Sequence, residues 1–299
     1  TLEELDMIKE GAVIAGFMQP HKNEELTRKM CEKKITSLAM ELIPRITRAQ
    51  SMDALSSQAA IAGYKGVLMG ADLASVFFPM LTTAAGTIRP ARVLVIGAGV
   101  AGLQAIATAK RLGAIVEAYD VRSATKEQCE SLGAKFVDTG VKAEGDGGYA
   151  RELTDEEKNQ QQEVLARHIA MSDVVITTAA IPGRPSPKII TKEMVAGMKI
   201  GAVVVDLAAE GGGNCELSEP GHTTDFESRV TIHAPLNVPS QTPVHASEMY
   251  AKNLYNLISP FIKDGNLELD WNDEVIANCA LTHCGEVKSE RYRRVEVTK

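Results

Sequence analysis

Two short stretches of the sequence combine residue types that could bind a dinucleotide and act on it. The first is Gly97-Ala98-Gly99-Val100-Ala101-Gly102, which has the spacing Gly-x-Gly-x-x-Gly between a strand-like run and a helix-like run. In this spacing the first glycine permits a tight turn, the second lets the backbone approach a pyrophosphate, and the third brings helix and strand close together. The N–H groups at the start of the helix would then bind the phosphates.

An acidic residue accompanies this loop at the expected distance. Asp120 lies about 20 residues beyond the glycines, at the end of the next strand-like run. A carboxylate there can accept hydrogen bonds from the adenosine ribose hydroxyls and would repel a 2′-phosphate, which favours NAD(H) over NADP(H). Arg122 leaves a second interpretation open, because an arginine at this place could pair with a phosphate or stack on adenine.

The second stretch is IPRITRAQSMDALS (43–56), which places Arg45, Gln50 and Asp53 just before a helix-like run. These side chains are suited to holding ribose hydroxyls and a carboxamide. A dehydrogenase that acts on an alcohol, an amine or a hydroxy acid also moves a proton, and so needs an acid–base group or a metal. Hydride transfer between two nicotinamides needs alignment and exclusion of water instead. The stretch therefore predicts a loop that holds a nicotinamide.

The rest of the sequence offers no clear acid–base or nucleophilic group. It contains no Tyr-x-x-x-Lys pair, and the six histidines lack paired carboxylate spacing. We expect His168 to be a surface residue of a helix. Asp206 precedes the GGGNC stretch and could be a turn-forming residue or a functional one. The odd number of scattered cysteines, with no Cys-x-x-Cys pair, predicts a reducing compartment and no structural zinc site; they are Cys31, Cys129, Cys215, Cys279 and Cys284.

Elements that would position these groups follow from the apolar runs. Runs that are apolar on consecutive residues are typical of strands buried on both faces, and helical stretches between them require parallel crossovers. We therefore predict a doubly wound parallel sheet with strands at 92–96, 114–119, 135–137, 173–177, 202–206 and 230–233. Thr154 and Glu157 form a capping-box pattern at the start of one intervening helix.

A further α/β region precedes this sheet. Strands are predicted at 12–17 and 35–42, a helix at 54–78 and a linker at 82–90, and a helix at 247–258 is expected to pack back on this first region. The predicted fold class is α/β with two Rossmann-like domains. The first domain comprises residues 1–88 plus 236–299, and residues 89–235 form the dinucleotide-binding domain. Since the sequence opens with Thr1 inside a helix-like run, we expect a fragment of a longer polypeptide.

Composition limits the classes of function. The chain has 299 residues, 44% of them hydrophobic, which is enough for one large or two ordinary domains. The formal net charge of −7, with no basic stripe to offset it, argues against a nucleic-acid partner. No secretory signal and no apolar run long enough to span a membrane are visible, so a soluble chain is expected.

Several longer motifs together resemble one family. PRITRAQSMD, IAGY, TAAGT, VIGAGVAGLQA, YDVR, TTAAIPGRPSPK and VVDLAAEGGGNCE occur in this order. This combination closely resembles the NAD(H)-binding component of proton-translocating NAD(P) transhydrogenases, whose nearest relative is alanine dehydrogenase. The resemblance runs from near residue 1 to about residue 260. Members of that family begin roughly ninety residues earlier, so it implies that the first domain is N-terminally incomplete here.

The resemblance implies a role for particular residues. Arg45, Gln50 and Asp53 would align the nicotinamide for hydride transfer, and Gly148 and Tyr149 would lie at the tip of a mobile loop that closes over the nucleotide. Gln161 and Ala180 would also contact it. The complete set implied to bind NAD(H) is Arg45, Ile46, Thr47, Gln50, Ser51, Met52, Asp53, Ser56, Gly97, Gly99, Val100, Ala101, Gly102, Asp120, Val121, Arg122, Gly148, Tyr149, Gln161 and Ala180.

The same resemblance implies an activity and partners. NADH would pass hydride directly to NADP⁺ bound on a separate component, and a membrane component would couple the transfer to proton translocation. It also implies a homodimer with no metal, at the cytoplasmic face of a bacterial inner membrane or in an organelle matrix.

Two alternatives stay open: an alanine dehydrogenase-like amino-acid oxidoreductase, and a non-enzymatic NAD(H) redox sensor. Gln19 stands where alanine dehydrogenases have a catalytic histidine, which weighs against the first alternative.

Overall fold

The computed structural model describes residues 1–140, 154–180 and 184–293. In chain order the helices are α1 (Leu2–Met7), α2 (Glu24–Glu32), α3 (Ala54–Leu73), α4 (Val100–Arg111), α5 (Lys126–Ser131), α6 (Asp155–Met171), α7 (Lys192–Ala196), α8 (Pro243–Ile258) and α9 (Glu274–Cys279). The strands are β1 (Val13–Gly16), β2 (Thr36–Ala39), β3 (Leu81–Thr83), β4 (Gly86–Ile88), β5 (Arg92–Ile96), β6 (Ile115–Tyr119), β7 (Lys135–Phe136), β8 (Val174–Thr177), β9 (Ala202–Asp206), β10 (Thr223–Phe226), β11 (Val230–His233), β12 (Ile262–Lys263), β13 (Asn266–Leu267), β14 (Ala280–His283) and β15 (Glu286–Val287).

The chain divides into two compact units, one of them discontinuous. The first unit is Thr1–Gln58 with Val244–Lys299, and the second is Ala59–Pro243. The sequence-based boundaries, after residues 88 and 235, therefore differ from the observed ones. Most of α3 belongs to the second unit because Val67, on this helix, is fully buried in the core of the larger sheet.

The larger sheet lies in the second unit and has the strand order β10-β11-β9-β8-β5-β6-β7. All of its neighbouring strands pair in parallel except β10 and β11, which are antiparallel. Strands β8 and β9 are buried along their whole length, as their unbroken β-branched runs predict. The predicted doubly wound sheet is confirmed. β10 was not predicted, because its sequence TTDF is polar and half-exposed at the sheet edge.

Helix starts in this unit follow local capping rules. Thr154 caps α6 through the predicted capping box, in which its hydroxyl accepts from the Glu157 N–H and the Glu157 carboxylate accepts from the Thr154 N–H. The predicted linker at 82–90 instead contains an exposed antiparallel hairpin formed by β3 and β4. The helix predicted at 54–78 ends at Leu73.

The smaller sheet lies in the first unit and has the order β1-β2-β14-β15. β1 and β2 are parallel, whereas β14 is antiparallel to β2. A core of buried side chains joins this sheet to α8 and α9, including Leu38, Leu257 and Ile276. The expected packing of the 247–258 helix on the first region is thus observed. In the described ranges of the chain, no helix is long and apolar enough to cross a membrane.

Candidate functional site

The three glycines of the 97–102 loop, hereafter the glycine loop, occupy three different environments. Gly97 has φ +95°, a conformation that side chains rarely adopt. Gly99 is exposed before the first turn of α4, and a Cβ placed on it would meet no atom within 4 Å. A Cβ on Gly102 would lie 1.8 Å from the Gly97 carbonyl oxygen. The loop thus combines a tight turn, an open approach to the α4 N-terminus, and a close helix–strand contact.

α3 packs directly on this loop through a stripe of small residues. A Cβ on Gly63, within the IAGY motif, would lie 2.0 Å from the Ala101 carbonyl oxygen. Further along the same helix, a Cβ on Gly70 would lie 2.8 Å from a methyl group of Val174 on β8. Because these approaches leave no room for a side chain, α3 holds the glycine loop and the start of α4 against the sheet.

Asp120 follows β6 and joins the glycine loop to the next turn. Its Oδ2 accepts the N–H of Ala98 at 2.7 Å, and its Oδ1 accepts the N–H of Arg122 at 2.8 Å. The Arg122 guanidinium donates to the same carboxylate, with Nε at 2.9 Å from Oδ1 and Nη2 at 2.9 Å from Oδ2. Asp120 is 8% exposed, so the cation of Arg122 is paired with a nearly buried anion.

Tyr119 precedes Asp120 and connects β6 to α6. The Gln161 amide on α6 donates from Nε2 to the Tyr119 hydroxyl oxygen at 2.7 Å, and both residues are buried. Burial raises the pKa of Tyr119 to about 12, so the phenol stays protonated at neutral pH. The structure therefore gives Gln161 a partner within the protein, and its predicted contact with nucleotide stays a prediction.

Polar side chains that sequence reasoning did not assign lie beyond β8. The Thr178 hydroxyl donates to the Gly97 carbonyl oxygen at 2.9 Å. The buried Asn214 accepts the Ala179 N–H at 3.0 Å and donates Nδ2 to the Ala179 carbonyl at 2.7 Å. Asn214 lies within the VVDLAAEGGGNCE motif, which was the available signal. It ties the segment after β8 to the segment after β9.

Asp206, at the end of β9, is fully buried. Its Oδ1 accepts from the Thr177 hydroxyl and the Ala208 N–H, while its Oδ2 accepts from the Cys215 N–H and the Ser218 hydroxyl. Four donors surround one carboxylate, so Asp206 organises the 207–218 turn from inside. Of the two sequence-based interpretations, the turn-forming one agrees with these contacts.

The 43–56 loop lies in the first unit and contains a short 3₁₀ helix, Thr47–Met52. Ala49 and Met52 are buried in the core of that unit, whereas Gln50 and Ser51 are exposed. Arg45, just before the helix, is exposed as well. The 3₁₀ turn therefore presents the Gln50 side chain outward from a segment that is anchored on its other side.

Asp53 and Arg48 stabilise the loop's surroundings. Asp53 precedes α3, accepting the Ser56 N–H at 2.9 Å and the Ser56 hydroxyl at 2.6 Å, as a helix N-cap does. Arg48 forms an ion pair with Asp273, 2.9 Å between Nη1 and Oδ2. The hydrogen bond from Arg48 holds the pKa of Asp273 below its usual range. Asp53 is thus both a candidate cofactor contact and a structural cap.

Other predicted site residues differ in what the structure shows of them. Ile46 and Ser56 are half-buried, Thr47 and Val100 are exposed, and Val121 packs on the sheet core. Ala180 is exposed directly before residues 181–183. Gly148 and Tyr149 lie outside the described residues. The nucleotide contacts assigned to these residues stay predictions.

His168 is not a simple surface residue, which corrects the sequence-based expectation. Its Nδ1 lies 3.0 Å from Oε2 of Glu117 on β6, and Glu117 is buried. The sequence could not show this contact because α6 and β6 meet only in the folded sheet. Within the described ranges, no group of three His, Cys, Asp or Glu side chains is placed to bind a metal ion.

The described site defines a class of protein: an α/β protein whose second unit carries a Rossmann-type dinucleotide loop. Comparisons with known proteins agree with that class. Residues 66–290 match the alanine dehydrogenase/PNT C-terminal domain, and residues 1–62 match the alanine dehydrogenase/PNT N-terminal domain. The chain therefore belongs to the alanine dehydrogenase/PNT family, and the resemblance inferred from the motifs is confirmed.

Among its relatives, transhydrogenase subunits are far more similar than alanine dehydrogenases. The first of the proteins that make up NAD(P) transhydrogenase subunit alpha of Rhodospirillum rubrum is 50% identical over 291 residues, which cover 95% of this chain and 76% of that protein. NAD(P) transhydrogenase subunit alpha of Haemophilus influenzae is 46% identical, with 96% of this chain and 57% of that protein covered. Alanine dehydrogenase 2 of Staphylococcus aureus is 27% identical, with 80% and 61% covered.

Solved structures show the same order of similarity. A transhydrogenase from Sinorhizobium meliloti has a TM-score of 0.86 and 48% identity, covering 96% of this chain and 78% of that one. An L-alanine dehydrogenase has a TM-score of 0.77 at 19% identity, covering 98% and 77%, which shows a shared fold alone. The predicted fold class is confirmed.

Proposed function

We propose that this chain is the NAD(H)-binding component of a proton-translocating NAD(P) transhydrogenase. Its role is direct hydride transfer from NADH to NADP⁺ held on a separate component. The observation that supports this most strongly is the glycine loop: an exposed Gly99 with open space beside it, at the N-terminus of α4, followed by the acidic Asp120.

The residues of this loop fit an NAD(H) molecule. The N–H groups and the positive end of the helix dipole at the α4 N-terminus suit a pyrophosphate, and the absence of a side chain on Gly99 leaves room for its approach. Asp120 provides a carboxylate for ribose hydroxyls, and its negative charge disfavours a 2′-phosphate. NAD(H), when bound, supplies the hydride.

In this proposal, Arg45, Gln50 and Asp53 act by holding the nicotinamide end rather than by moving protons. Gln50 is exposed on a 3₁₀ turn whose other side is buried, so its amide has a defined origin and freedom to reach a carboxamide or a ribose. Alignment of this kind can contribute a large part of a rate enhancement when two reactants must meet at van der Waals range. The remaining predicted contacts, including Tyr149, belong to the same proposal.

The proposal includes partners. An NADP(H)-binding component would accept the hydride, and a membrane component would couple the transfer to proton movement. A homodimer is supported by the β3–β4 hairpin, whose residues are exposed and include Leu81 and Ile88, since an isolated two-stranded hairpin has marginal stability in water. We place the complex at a bacterial inner membrane or, in a eukaryote, at an organelle membrane facing the matrix.

Mixing experiments test the function. The purified chain, NADH and a recombinant NADP(H)-binding transhydrogenase component are combined, and hydride exchange is followed with an absorbance-shifted NAD⁺ analogue. We expect exchange when both components are present and none with either alone. Alanine-dependent reduction of NAD⁺ by the chain alone would instead identify an amino-acid oxidoreductase. NADH binding without either activity would identify a sensor and overturn the proposal.

Gln50→Asn tests the holding role. Shortening the side chain by one methylene withdraws the amide by about 1 Å, a displacement that can slow a well-aligned reaction by about 100-fold. We expect slower hydride transfer with NADH affinity changed by less than about threefold, measured by stopped-flow transfer and by NADH titration. Gln128→Asn, at an exposed position of α5, is the matched control. A loss of NADH binding in Gln50→Asn would contradict the aligning role.

A further inference from the structure

One backbone carbonyl inside the 43–56 loop has an unusual pair of partners. The Ser51 carbonyl oxygen accepts a hydrogen bond from Asn253 Nδ2 at 2.9 Å and another from Asn256 Nδ2 at 3.0 Å. Both asparagines lie on α8, three positions apart, so their side chains share one face of that helix. The two lone pairs of this carbonyl are therefore both engaged by side-chain amides.

Asn253 also reaches the helix that follows the loop. Its Oδ1 accepts the Ser57 hydroxyl at 2.7 Å, and Asn253 is 7% exposed. One nearly buried amide thus bridges Ser51, at the end of the 3₁₀ turn, and Ser57, in the first turn of α3. Gln58 adds a third connection to α8, because its Nε2 donates to the Ala246 carbonyl at 3.2 Å.

These contacts lie between the residues that the proposed function uses. Gln50 directly precedes Ser51, and Asp53 lies between the two points that Asn253 bridges. Short 3₁₀ turns have poorer hydrogen-bond geometry than α-helices and seldom stand alone, and here the Asp53 N–H meets the Gln50 carbonyl at 3.3 Å. The conformation of the turn therefore depends on support from outside, and the α8 amides supply it.

We propose that Asn253 and Asn256 are positioning residues for hydride transfer, which hold the Thr47–Met52 turn so that Gln50 and Asp53 are aligned. This inference rests on the proposed function. Neither asparagine contacts a reacting atom in this proposal, since both act through the Ser51 carbonyl. Loss of either amide lets the turn move while the core of the unit, centred on Leu38 and Leu257, stays intact.

Isosteric changes provide the sharpest test. Asn256→Asp and Asn253→Asp keep the shape of the side chain but replace the donating NH₂ by an acceptor, which repels the Ser51 carbonyl. In the complete transhydrogenase complex we expect hydride transfer to slow about 3- to 10-fold for each variant and up to about 100-fold for the double variant. NADH affinity should change less than about threefold. Asn256→Gln retains an amide and should recover most of the rate.

A second readout does not depend on activity. In the nucleotide-free protein, amide hydrogen exchange across residues 47–53 should quicken in both aspartate variants and return towards the wild-type rate in Asn256→Gln. Asn278→Asp is the matched control, because Asn278 on α9 donates its amide to the Glu274 carbonyl at 2.7 Å, away from the loop. It should change neither the exchange nor the transfer rate.

The outcomes separate this inference from the proposed function. Wild-type protein that transfers no hydride in the complex would refute the function itself. Wild-type transfer with unchanged rates in Asn256→Asp would refute the positioning role. Slow transfer with unaltered exchange across 47–53 would refute it as well. Should Asn253→Asp fail to fold, the half-buried Asn256 still decides the matter.

Discussion

Replacing Asp120 by asparagine should change the cofactor preference of the chain. The wild-type carboxylate accepts four hydrogen bonds, from Ala98 N–H, from Arg122 N–H and from two nitrogens of the Arg122 guanidinium. An asparagine has a single acceptor oxygen and an NH₂ that donates, so it cannot satisfy both sides of this arrangement. It also removes the negative charge that Asp120 places beside the Arg122 cation.

Two magnitudes follow from these contacts. A hydrogen bond to a charged group contributes about 1.5–3 kcal/mol, so the loss of the carboxylate for the ribose hydroxyls should weaken NADH binding about 10- to 100-fold. The carboxylate also repels a 2′-phosphate, and like charges in contact cost several kcal/mol. Its removal, with the Arg122 guanidinium able to turn towards the phosphate, should therefore strengthen NADPH binding. The NADPH/NADH preference should shift by at least about 100-fold in total.

Fluorescence titration of NADH and of NADPH, at low and at physiological ionic strength, measures both affinities. The gain for NADPH should weaken with salt, because it depends on an exposed ion pair. Asp138→Asn is the control, since Asp138 is an exposed aspartate beyond the next strand and accepts the Gly140 N–H at 2.8 Å. An unchanged NADPH/NADH ratio in Asp120→Asn would refute the assignment of Asp120 as the ribose contact.

Two further predictions concern the glycine loop and the strand beside it. Gly102→Ala should destabilise the fold by about 3 kcal/mol, because its Cβ would overlap the Gly97 carbonyl oxygen. Gly99→Ala should leave stability nearly unchanged yet weaken NADH binding at least about tenfold, and equal effects of the two changes in denaturant unfolding would contradict this. Tyr119 has its pKa raised to about 12 by burial, against about 10 in the unfolded chain. Its contribution to stability is therefore complete below about pH 10 and is lost as the pH rises towards about 12. The stability difference between wild type and Tyr119→Phe should shrink by about 1 kcal/mol from about pH 8 to about pH 11, and a constant difference would refute the buried protonated phenol.

Local sequence was sufficient for most elements of the larger sheet. β8 and β9 were predictable because their consecutive valines and isoleucines suit only a strand covered on both faces. The glycine loop was predictable because each glycine meets a steric need that the motif itself expresses. β10 escaped prediction, since a polar edge strand has no apolar pattern and forms only because β11 offers it hydrogen-bond partners.

Site residues divide in the same way. Gln50 and Asp53 could be selected from the sequence because of their residue types and their position before a helix. The Asn253 support could not, since it lies 202 positions from the Ser51 carbonyl that it binds. The pairing of His168 with Glu117 likewise spans 51 positions, and no local pattern indicates it.

By itself, the sequence determined the α/β class, the parallel sheet, the glycine loop and the family, because these depend on apolar periodicity and on contiguous motifs. Only the tertiary structure decided which polar groups meet. It engages Asp120 with Ala98 and Arg122, surrounds Asp206 with four donors, and places the α8 amides on the Ser51 carbonyl. The physical reason is that a buried polar atom must find a partner wherever the fold brings one, and sequence distance does not limit that choice.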